Sequence, residues 1–193
     1  MTRPAKKTVD LLHTMARRPE PGQSRSGAPA AESCGDFDIR IGADGIWYYR
    51  NSPIGRLPLV RLFASVLRRE ADGGYWLVTP VERGLIVVDD APFTAVEVDA
   101  EGSGAQQRLE FRTNLDEIVM ADAEHPIRIE TDPATGEPRP YILVRDGLEA
   151  RILRPVYYQL VELGEFRQTG SGETFGVWSG GQFFTLGEMR AAG

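Results

Sequence analysis

The chain has 193 residues, of which 41% are apolar and 26% are charged, a composition typical of a soluble globular protein with a buried core. The formal net charge is −6. Residues 1–33 contain six Lys/Arg and three Asp/Glu, a net charge of +3, so the rest of the chain carries −9, which excludes duplex DNA as a partner because DNA binding requires clustered cations.

The single cysteine, Cys34, excludes an internal disulfide and the zinc sites that are built on paired cysteines. A chain without disulfides suits a reducing compartment, so we expect a cytoplasmic protein. No segment approaches the roughly 20 apolar residues that a membrane-spanning helix requires, and we therefore expect no membrane span.

Residues 1–33 are predicted to form a basic tail. Val9, Leu12 and Met15 recur at helical spacing, which predicts a short helix over residues 8–18. The stretch PEPGQSRSGAPAAES that follows has the composition of a linker. The helix fits either a docking turn on a solvated tail or a segment that binds a partner or a membrane surface.

Residues 34–104 are predicted to form a first α+β module. Alternation of apolar and polar residues from Phe37 to Ile41, followed by an Asp44-Gly45 turn, predicts a β-hairpin. Pro58 begins a segment with apolar residues at helical spacing, which predicts an amphipathic helix as far as Leu67. The stretch YWLVTPVERGLIVVDDAPFTAVEVDAEG then predicts three strands separated by turns.

Residues 105–193 are predicted to form a second module. Short apolar segments predict strands at Leu109–Phe111, Ile118–Met120, Ile127–Ile129 and Tyr141–Val144; the second of these also fits a short helix. A hairpin about Asp146-Gly147, a helix that begins at Pro155 and a hairpin about Ser179-Gly180-Gly181 complete the module.

The two modules share one arrangement. An Asp-Gly turn, a proline and an amphipathic helix occur at Gly45 and Pro58 and again at Gly147 and Pro155. This pattern predicts an internal duplication of a hairpin–helix–hairpin unit, in which each copy has a mainly antiparallel sheet crossed by one helix. A chance repeat of a common motif is the competing explanation.

Several motifs together resemble a bacterial family known as domain of unknown function 1285. They are CGDFDIRI, DGIWYYRNSPIGR, YWLVTPVERG, DDAPFTAV, FRTN, HPIRI, PYILVRDGLEARI and GVWSGGQFF, and they cover residues 34–187. The resemblance implies a duplicated α+β core whose second half is barrel-like and similar in shape to pleckstrin-homology-type folds. It also implies a role in signalling through a nucleotide-like ligand at the domain interface.

Motifs for catalysis and for metal binding are weak. Ser179 lies in a glycine turn rather than in a Gly-x-Ser-x-Gly elbow, and neither histidine is near it in sequence. Asp122, Glu124 and His125 supply no second histidine and no ligand pair at helical spacing, so we predict a structural His125 and no metal site. TGSGETFG lacks the lysine and the helix of a phosphate loop. No catalytic residue and no cofactor are predicted.

One group of side chains has the chemistry of a ligand site. Arg145 and Arg151 flank the second Asp-Gly turn, and arginine binds phosphate or carboxylate oxygens bidentately. Tyr157 and Trp178 offer ring faces on which a base can stack. Because ligands favour clefts between domains, we predict a nucleotide-like anion between the modules. Further polar contacts are expected from Thr79, Glu82 and Asn114. The alternative is that the arginines pair with exposed carboxylates and the rings belong to the core.

The sequence therefore predicts a non-catalytic module that binds a ligand or acts in signalling. One alternative is a small hydrolase that uses first-module carboxylates such as Glu82 and Asp90, held at different pKa values by their surroundings. Another is a structural or protein-interaction module that uses exposed sheet edges. No feature of the sequence sets an oligomeric state.

Overall fold

The computed structural model describes residues 32–169 and 172–189. The chain divides into two compact units. The first unit ends at Asp89, and the second begins at Asp90 and also includes the turn Ala43–Gly45. The predicted helix over residues 8–18 lies outside the described residues. The fold is α+β and contains a duplicated module, as the sequence predicts.

Six strands form the sheet of the first unit. They are β1 (Glu32–Ile41), β2 (Trp47–Tyr49), β3 (Ser52–Pro53), β4 (Leu67–Arg69), β5 (Tyr75–Val78) and β6 (Glu82–Val88). The order across the sheet is β3-β2-β1-β6-β5-β4. All neighbours are antiparallel except β1 and β6, which are parallel. The predicted hairpin and the predicted strands between residues 75 and 88 are confirmed.

Helix α1 (Leu57–Ser65) packs on this sheet through one face. It buries Val60, Phe63 and Ala64, the i, i+3, i+4 spacing of an apolar helical stripe. The Phe63 ring stacks on Trp47 with 6.3 Å between ring centroids. Pro58 lies in the first turn, where its missing N–H leaves no intrahelical bond unmade.

The predicted end of this helix was wrong. The helix stops at Ser65, and Leu67 belongs to β4, where it pairs with Leu77 and is fully buried. A short apolar run with a helical spacing is compatible with a buried strand as well. The pairing of Leu67 with β5 shows that it lies in a strand and not in the helix. The spacing of apolar residues in the sequence does not indicate such pairing.

The second unit contains a six-stranded sheet and a three-stranded sheet. The strands of the first sheet are β7 (Phe93–Glu101), β8 (Arg108–Thr113), β9 (Ile118–Met120), β10 (Ile127–Thr131), β11 (Pro138–Arg145) and β12 (Leu148–Ile152). Their order is β10-β11-β12-β7-β8-β9, with β12 and β7 parallel. The residues of strand β7 were predicted to belong to the first module (residues 34–104), but the strand belongs to the second unit, where it pairs with β8 and β12.

The duplication is visible in the order of the strands. In each six-stranded sheet, two antiparallel three-stranded meanders meet at one parallel pair made of the first and the sixth strand. Strands β1–β6 therefore correspond to β7–β12. Gly45 and Gly147 both have positive φ, 78° and 75°, but Gly45 follows the first strand of its copy and Gly147 follows the fifth. The two Asp-Gly turns thus occupy different positions in the repeat.

Helix α2 (Arg154–Glu162) follows β12 and leads into the three-stranded sheet. That sheet consists of β13 (Glu165–Thr169), β14 (Gly172–Ser179) and β15 (Gln182–Met189), in this order. Strand β15 also contacts β10, so the strands of the second unit curl into a half-barrel. The predicted hairpin about Ser179 is confirmed as β14–β15, whereas β13 was not predicted.

Candidate functional site

The second unit contains a cavity of about 530 Å³ where the turn between β10 and β11 and the strands β11 and β12 meet the start of α2. Its lining residues all belong to the second unit. They are Ala43, Asp90, Asp132, Glu137, Pro138, Arg139, Pro140, Arg151, Ile152, Leu153, Arg154, Tyr157 and Tyr158. Two of the residues predicted from the sequence as ligand contacts, Arg151 and Tyr157, are among them.

Arginines from three successive elements line this cavity. Arg139 lies on β11, Arg151 lies on β12, and Arg154 is the first residue of α2. Arg139 and Tyr141 are two residues apart on one strand, and Tyr141 pairs directly with Arg151 across the sheet. Because alternate strand residues share a face, Arg139, Tyr141 and Arg151 lie on the same side of the sheet.

The carboxylate of Asp90 lies at the centre of this group. Its Oδ1 accepts hydrogen bonds from the Tyr141 hydroxyl at 2.7 Å and from Arg139 Nη2 at 2.9 Å. Arg151 Nη1 lies 3.7 Å from Oδ2. The side chain of Asp90 is 10% exposed, and its charge is the main reason that the pKa of Arg139 is raised. A largely buried carboxylate thus holds two of the three arginines.

Tyr141 connects the carboxylate with the guanidinium of Arg151. Its hydroxyl donates to Asp90 and accepts from Arg151 Nη1 at 3.0 Å. The guanidinium carbons of Arg128 and Arg151 lie 4.3 Å and 5.0 Å from the centre of its ring, which are cation–π distances. Burial and the hydrogen bond to Asp90 raise the pKa of Tyr141, so the phenol is neutral at physiological pH.

The arginines of the cavity retain donors for a ligand. Within the described part of the chain, Arg139, Arg151 and Arg154 each donate one hydrogen bond. A guanidinium has five N–H donors, so each arginine has donors that make no hydrogen bond among those residues. Arg139 and Arg151 also form longer ion pairs through Nη1, with Asp132 at 3.9 Å and with Asp90 at 3.7 Å. The side chain of Arg154 is 64% exposed and pairs with Glu137 at 2.6 Å, which is a weak restraint because exposed ion pairs contribute little.

Two tyrosines on α2 supply ring faces at the cavity. Tyr157 is half-buried, and burial raises the pKa of its hydroxyl. Tyr158 is 57% exposed. A carboxylate, Asp132, also lines the cavity, and backbone N–H groups of Ala134 and Thr135 lower its pKa by hydrogen bonding. The cavity therefore combines cationic forks, aromatic rings and fixed negative charge.

Two other predicted ligand contacts make different interactions. Arg145 donates to Glu117 at 3.0 Å, and its guanidinium lies 5.2 Å from the ring centre of Phe93. Trp178 donates from Nε1 to Glu165 at 2.7 Å, and the guanidinium of Arg167 lies over its ring. Neither Arg145 nor Trp178 lines the cavity that Arg151 and Tyr157 share.

The polar residues predicted to assist the site hold turns. Asn114 donates from Nδ2 to the Gly45 carbonyl and accepts from the Thr94 N–H, both at 3.1 Å. Thr79 and Glu82 belong to the first unit, where the Thr79 hydroxyl both donates to the Glu82 carbonyl and accepts from the Glu82 N–H at 3.0 Å. The structure brings none of these three to the cavity.

Ser179 and His125 have structural contacts. The Ser179 hydroxyl is fully buried, donates to the Ala121 carbonyl at 2.6 Å and accepts from the Leu109 N–H at 2.9 Å. His125 Nδ1 lies 3.1 Å from the Leu143 carbonyl oxygen.

Among the described residues there is no group of three or more His, Cys, Asp or Glu that could hold a metal ion. No helix among the same residues is long and apolar enough to cross a membrane.

Sequence reasoning missed three residues of the site. Arg139 and Tyr141 lie in a segment predicted only as a strand, although their two-residue spacing places them on one face. Arg154 precedes Pro155, the residue at which the helix was predicted to begin. Their common location depends on the register of β11 with β12, which the sequence does not display.

Two family models match the chain over most of its length. The domain of unknown function DUF1285, N-terminal domain, matches residues 29–91, and the protein of unknown function DUF1285, C-terminal domain, matches residues 92–186. The chain belongs to the DUF1285 family. The two DUF1285 segments meet close to the boundary between the structural units at Asp89 and Asp90, so the family division and the structural division agree.

Two solved structures of DUF1285 family proteins are similar to this chain. One, from Silicibacter pomeroyi DSS-3, is 44% identical with a TM-score of 0.80, and the match covers 92% of this chain and 94% of that chain. The other, from Shewanella baltica OS155, is 25% identical with a TM-score of 0.50 and covers 64% and 90%. No curated protein gives a significant match. The DUF1285 resemblance read from the sequence is confirmed.

Proposed function

We propose that this protein is a non-catalytic ligand-binding module with a role in signalling, and that the cavity of its second unit binds a small nucleotide-like anion. The convergence of Arg139, Arg151 and Arg154 on one cavity with two tyrosine rings carries this function. A volume of about 530 Å³ lies within the range of sites for small molecules, roughly 300–1,000 Å³.

The charged part of the ligand is assigned to Arg151 and Arg154. Both have donors without acceptors in the described residues, and planar guanidinium forks suit phosphate and carboxylate oxygens. Arg154 is restrained by one exposed ion pair, so it can turn towards a ligand at little cost. The ring of the ligand is assigned to Tyr157 and Tyr158, since a base stacks readily on an aromatic face.

A hydrolase is the weaker candidate. Asp90 was a candidate catalytic carboxylate, but its oxygen accepts hydrogen bonds from Tyr141 and Arg139, an arrangement that supports a role in holding the arginines. Glu82 has a buried carboxylate oxygen with no hydrogen-bond partner among the described residues, and that observation alone supports no reaction.

We place the ligand-binding function in the cytoplasm, because the chain has one cysteine and no internal disulfide.

A thermal-shift screen against nucleotides and other phosphorylated metabolites tests this function. A ligand at 100 times its dissociation constant adds about 2.7 kcal/mol of stability, so a true ligand raises the melting temperature. Arg151→Lys keeps the charge but loses the fork, and we expect it to weaken binding about tenfold or more. Arg112→Ala is the matched control, because Arg112 lies in the same unit, outside the cavity, and pairs with Glu97.

Two results would contradict this function. One is a screen in which no compound shifts the melting temperature of the wild type. The other is a ligand that binds Arg151→Ala and Arg154→Ala as tightly as it binds the wild type and the Arg112→Ala control. Turnover of a screened compound that is lost in Glu82→Gln would establish the hydrolase instead.

A further inference from the structure

Strand β13 is an exposed edge of the three-stranded sheet. It pairs with β14 on one side, in the register Glu165–Gly176 to Thr169–Gly172. Within residues 32–169 and 172–189, no other strand pairs with its second side. Its first four side chains are all exposed. Every second residue of such a strand directs its N–H and C=O away from the sheet, which makes the edge a template for another strand.

Exposed apolar side chains lie on this edge strand and just before it in the chain. Phe166, at its second position, is 55% exposed, and Val161 and Leu163 at the end of α2 are 39% and 36% exposed. The three residues lie between positions 161 and 166, so the exposed apolar side chains are close along the chain to the start of β13. Exposed apolar side chains beside an unpaired strand are typical of a protein interface.

We infer that β13 pairs with β13 of a second copy of this chain, antiparallel and about a two-fold axis at Phe166. In this register the two Phe166 residues face each other, and Glu165 of each copy lies opposite Arg167 of the other. Both cross-strand pairs then join opposite charges, which stabilises an antiparallel pair. A register centred on Glu165 or on Arg167 places like charges opposite each other, which is destabilising.

Contacts within each copy already hold the charged side chains Glu165 and Arg167 of β13 on one face of the sheet. Glu165 accepts a hydrogen bond from Trp178 Nε1 at 2.7 Å, and the guanidinium of Arg167 lies 4.8 Å from the centre of the Trp178 ring. Glu165 and Arg167 therefore share one face of the sheet. Phe166 lies on the other face, 4.9 Å from the ring of Phe175. A symmetric pair thus has a charged face and an aromatic face, and each is complementary to itself.

Disulfide crosslinking tests the register directly. In a Cys34→Ser background, Phe166→Cys places two thiols opposite each other, at the Cα separation of roughly 5 Å of an antiparallel pair, which a disulfide can bridge. We expect air oxidation to yield a covalent dimer. Gln168→Cys in the same background is the control, because each Gln168 lies four positions from its equivalent and no disulfide forms. Equal crosslinking at both positions, or none at Phe166→Cys, would overturn the register.

Charge reversal tests the pairing without a crosslink. By light scattering, we expect the wild type to have twice the 21.3 kDa mass of one chain at high concentration and to dissociate on dilution. Glu165→Arg and Arg167→Glu each place like charges in both pairs, so each variant is expected to be monomeric. A mixture of the two restores both attractive pairs and is expected to form a heterodimer. A heterodimer requires that both variants are folded.

The control for exposed apolar residues is Ile118→Asp on the edge strand β9, where Ile118 is 68% exposed. We expect this variant to dimerise as the wild type does, whereas Phe166→Asp is expected to be monomeric with an unchanged circular dichroism spectrum. A wild type that is monomeric at every concentration overturns the inference. A dimer that survives Phe166→Asp, or two variants that fail to associate on mixing, does the same.

Discussion

Tyr141 connects two charged side chains at the cavity, those of Asp90 and Arg151. It is 3% exposed, its hydroxyl donates to Asp90, and it accepts from Arg151. Removing that hydroxyl leaves Asp90 with one hydrogen-bond donor fewer and Arg151 without its acceptor. A buried polar group that loses its partner costs about 1–3 kcal/mol, so a single oxygen atom supports the geometry of both groups.

We therefore expect Tyr141→Phe to lower the free energy of unfolding by about 1–3 kcal/mol, measured by urea denaturation at neutral pH. Tyr157→Phe is the control, because the Tyr157 hydroxyl makes no hydrogen bond among the described residues and its pKa is raised by burial alone. We expect a smaller loss in the control. Equal losses in the two variants would show that the hydroxyl of Tyr141 does not have this role.

The wild type and Tyr141→Phe are also expected to differ in how their free energies of unfolding depend on pH in alkali. Burial and the hydrogen bond to Asp90 raise the pKa of Tyr141 above its ordinary value of 10.0. A group with a raised folded-state pKa stabilises the fold fully below its unfolded pKa, and this stabilisation is lost as the pH rises through the folded pKa. The free energy of unfolding of the wild type is thus expected to fall more steeply above about pH 10 than that of Tyr141→Phe. Parallel curves would exclude this linkage.

At the scale of the elements, the three-stranded sheet depends on a close approach of two strands. Gly176 on β14 pairs with Thr185 on β15, and a Cβ atom at Gly176 would lie 2.3 Å from the Phe184 carbonyl oxygen. That oxygen belongs to the backbone and cannot rotate away as a side chain does. Any residue larger than glycine therefore forces β14 and β15 apart.

Gly176→Ala is accordingly expected to destabilise the protein by about 1–3 kcal/mol, the usual cost of overpacking. Gly187→Ala on the adjacent strand is the matched control, because a Cβ there meets nothing within 4 Å, and a change within about 0.5 kcal/mol is expected. Thermal melts of the two variants side by side check this. A neutral Gly176→Ala would mean that the strands separate at no cost.

Most elements could be predicted because their residues alternate or recur with a clear period. The hairpin β1–β2 and the starts of both helices next to Pro58 and Pro155 follow from such patterns and turn residues, whereas the residues of β9 also fit a short helix. Strand β13 could not be predicted, because residues 165–168 are exposed on both faces and offer no buried side to impose alternation. The end of α1 was predicted too late because Leu67 continues the helical spacing of Val60 and Phe63, and only its pairing with Leu77 places it in a strand.

At the scale of the whole molecule, the duplication is present in the order of the strands, whereas the two Asp-Gly turns and the two helices lie at unlike positions of the repeat. Each copy closes its sheet with a parallel pair between its first and sixth strands, so the order of strands repeats while the helices are inserted at different points. The turns and the prolines can be recognised in the sequence, but the pairing of the strands cannot. The predicted alignment of Gly45 with Gly147 and of Pro58 with Pro155 was therefore wrong, although the duplication itself is present.

The same limit applies to the proposed site. Arg145 and Arg151 flank one turn in the sequence, yet Arg145 contacts Glu117 and Phe93 while Arg151 lines the cavity. Residues 90–193 contain nine arginines, no lysine and eighteen acidic residues, so a long-range field does not attract an anion to the second unit. We conclude that short, directed contacts from the arginines of the cavity must provide the affinity.

The most direct measurement is a titration that follows the side-chain Nε–Hε signals of the arginines by nuclear magnetic resonance. The titrant is the compound with the largest thermal shift among the nucleotides and phosphorylated metabolites. We predict that the signals of Arg151 and Arg154 shift together and saturate with one dissociation constant, while those of Arg112 and Arg145 stay in place. Shifts confined to Arg145, or to arginines outside the second unit, would contradict a ligand site in this cavity.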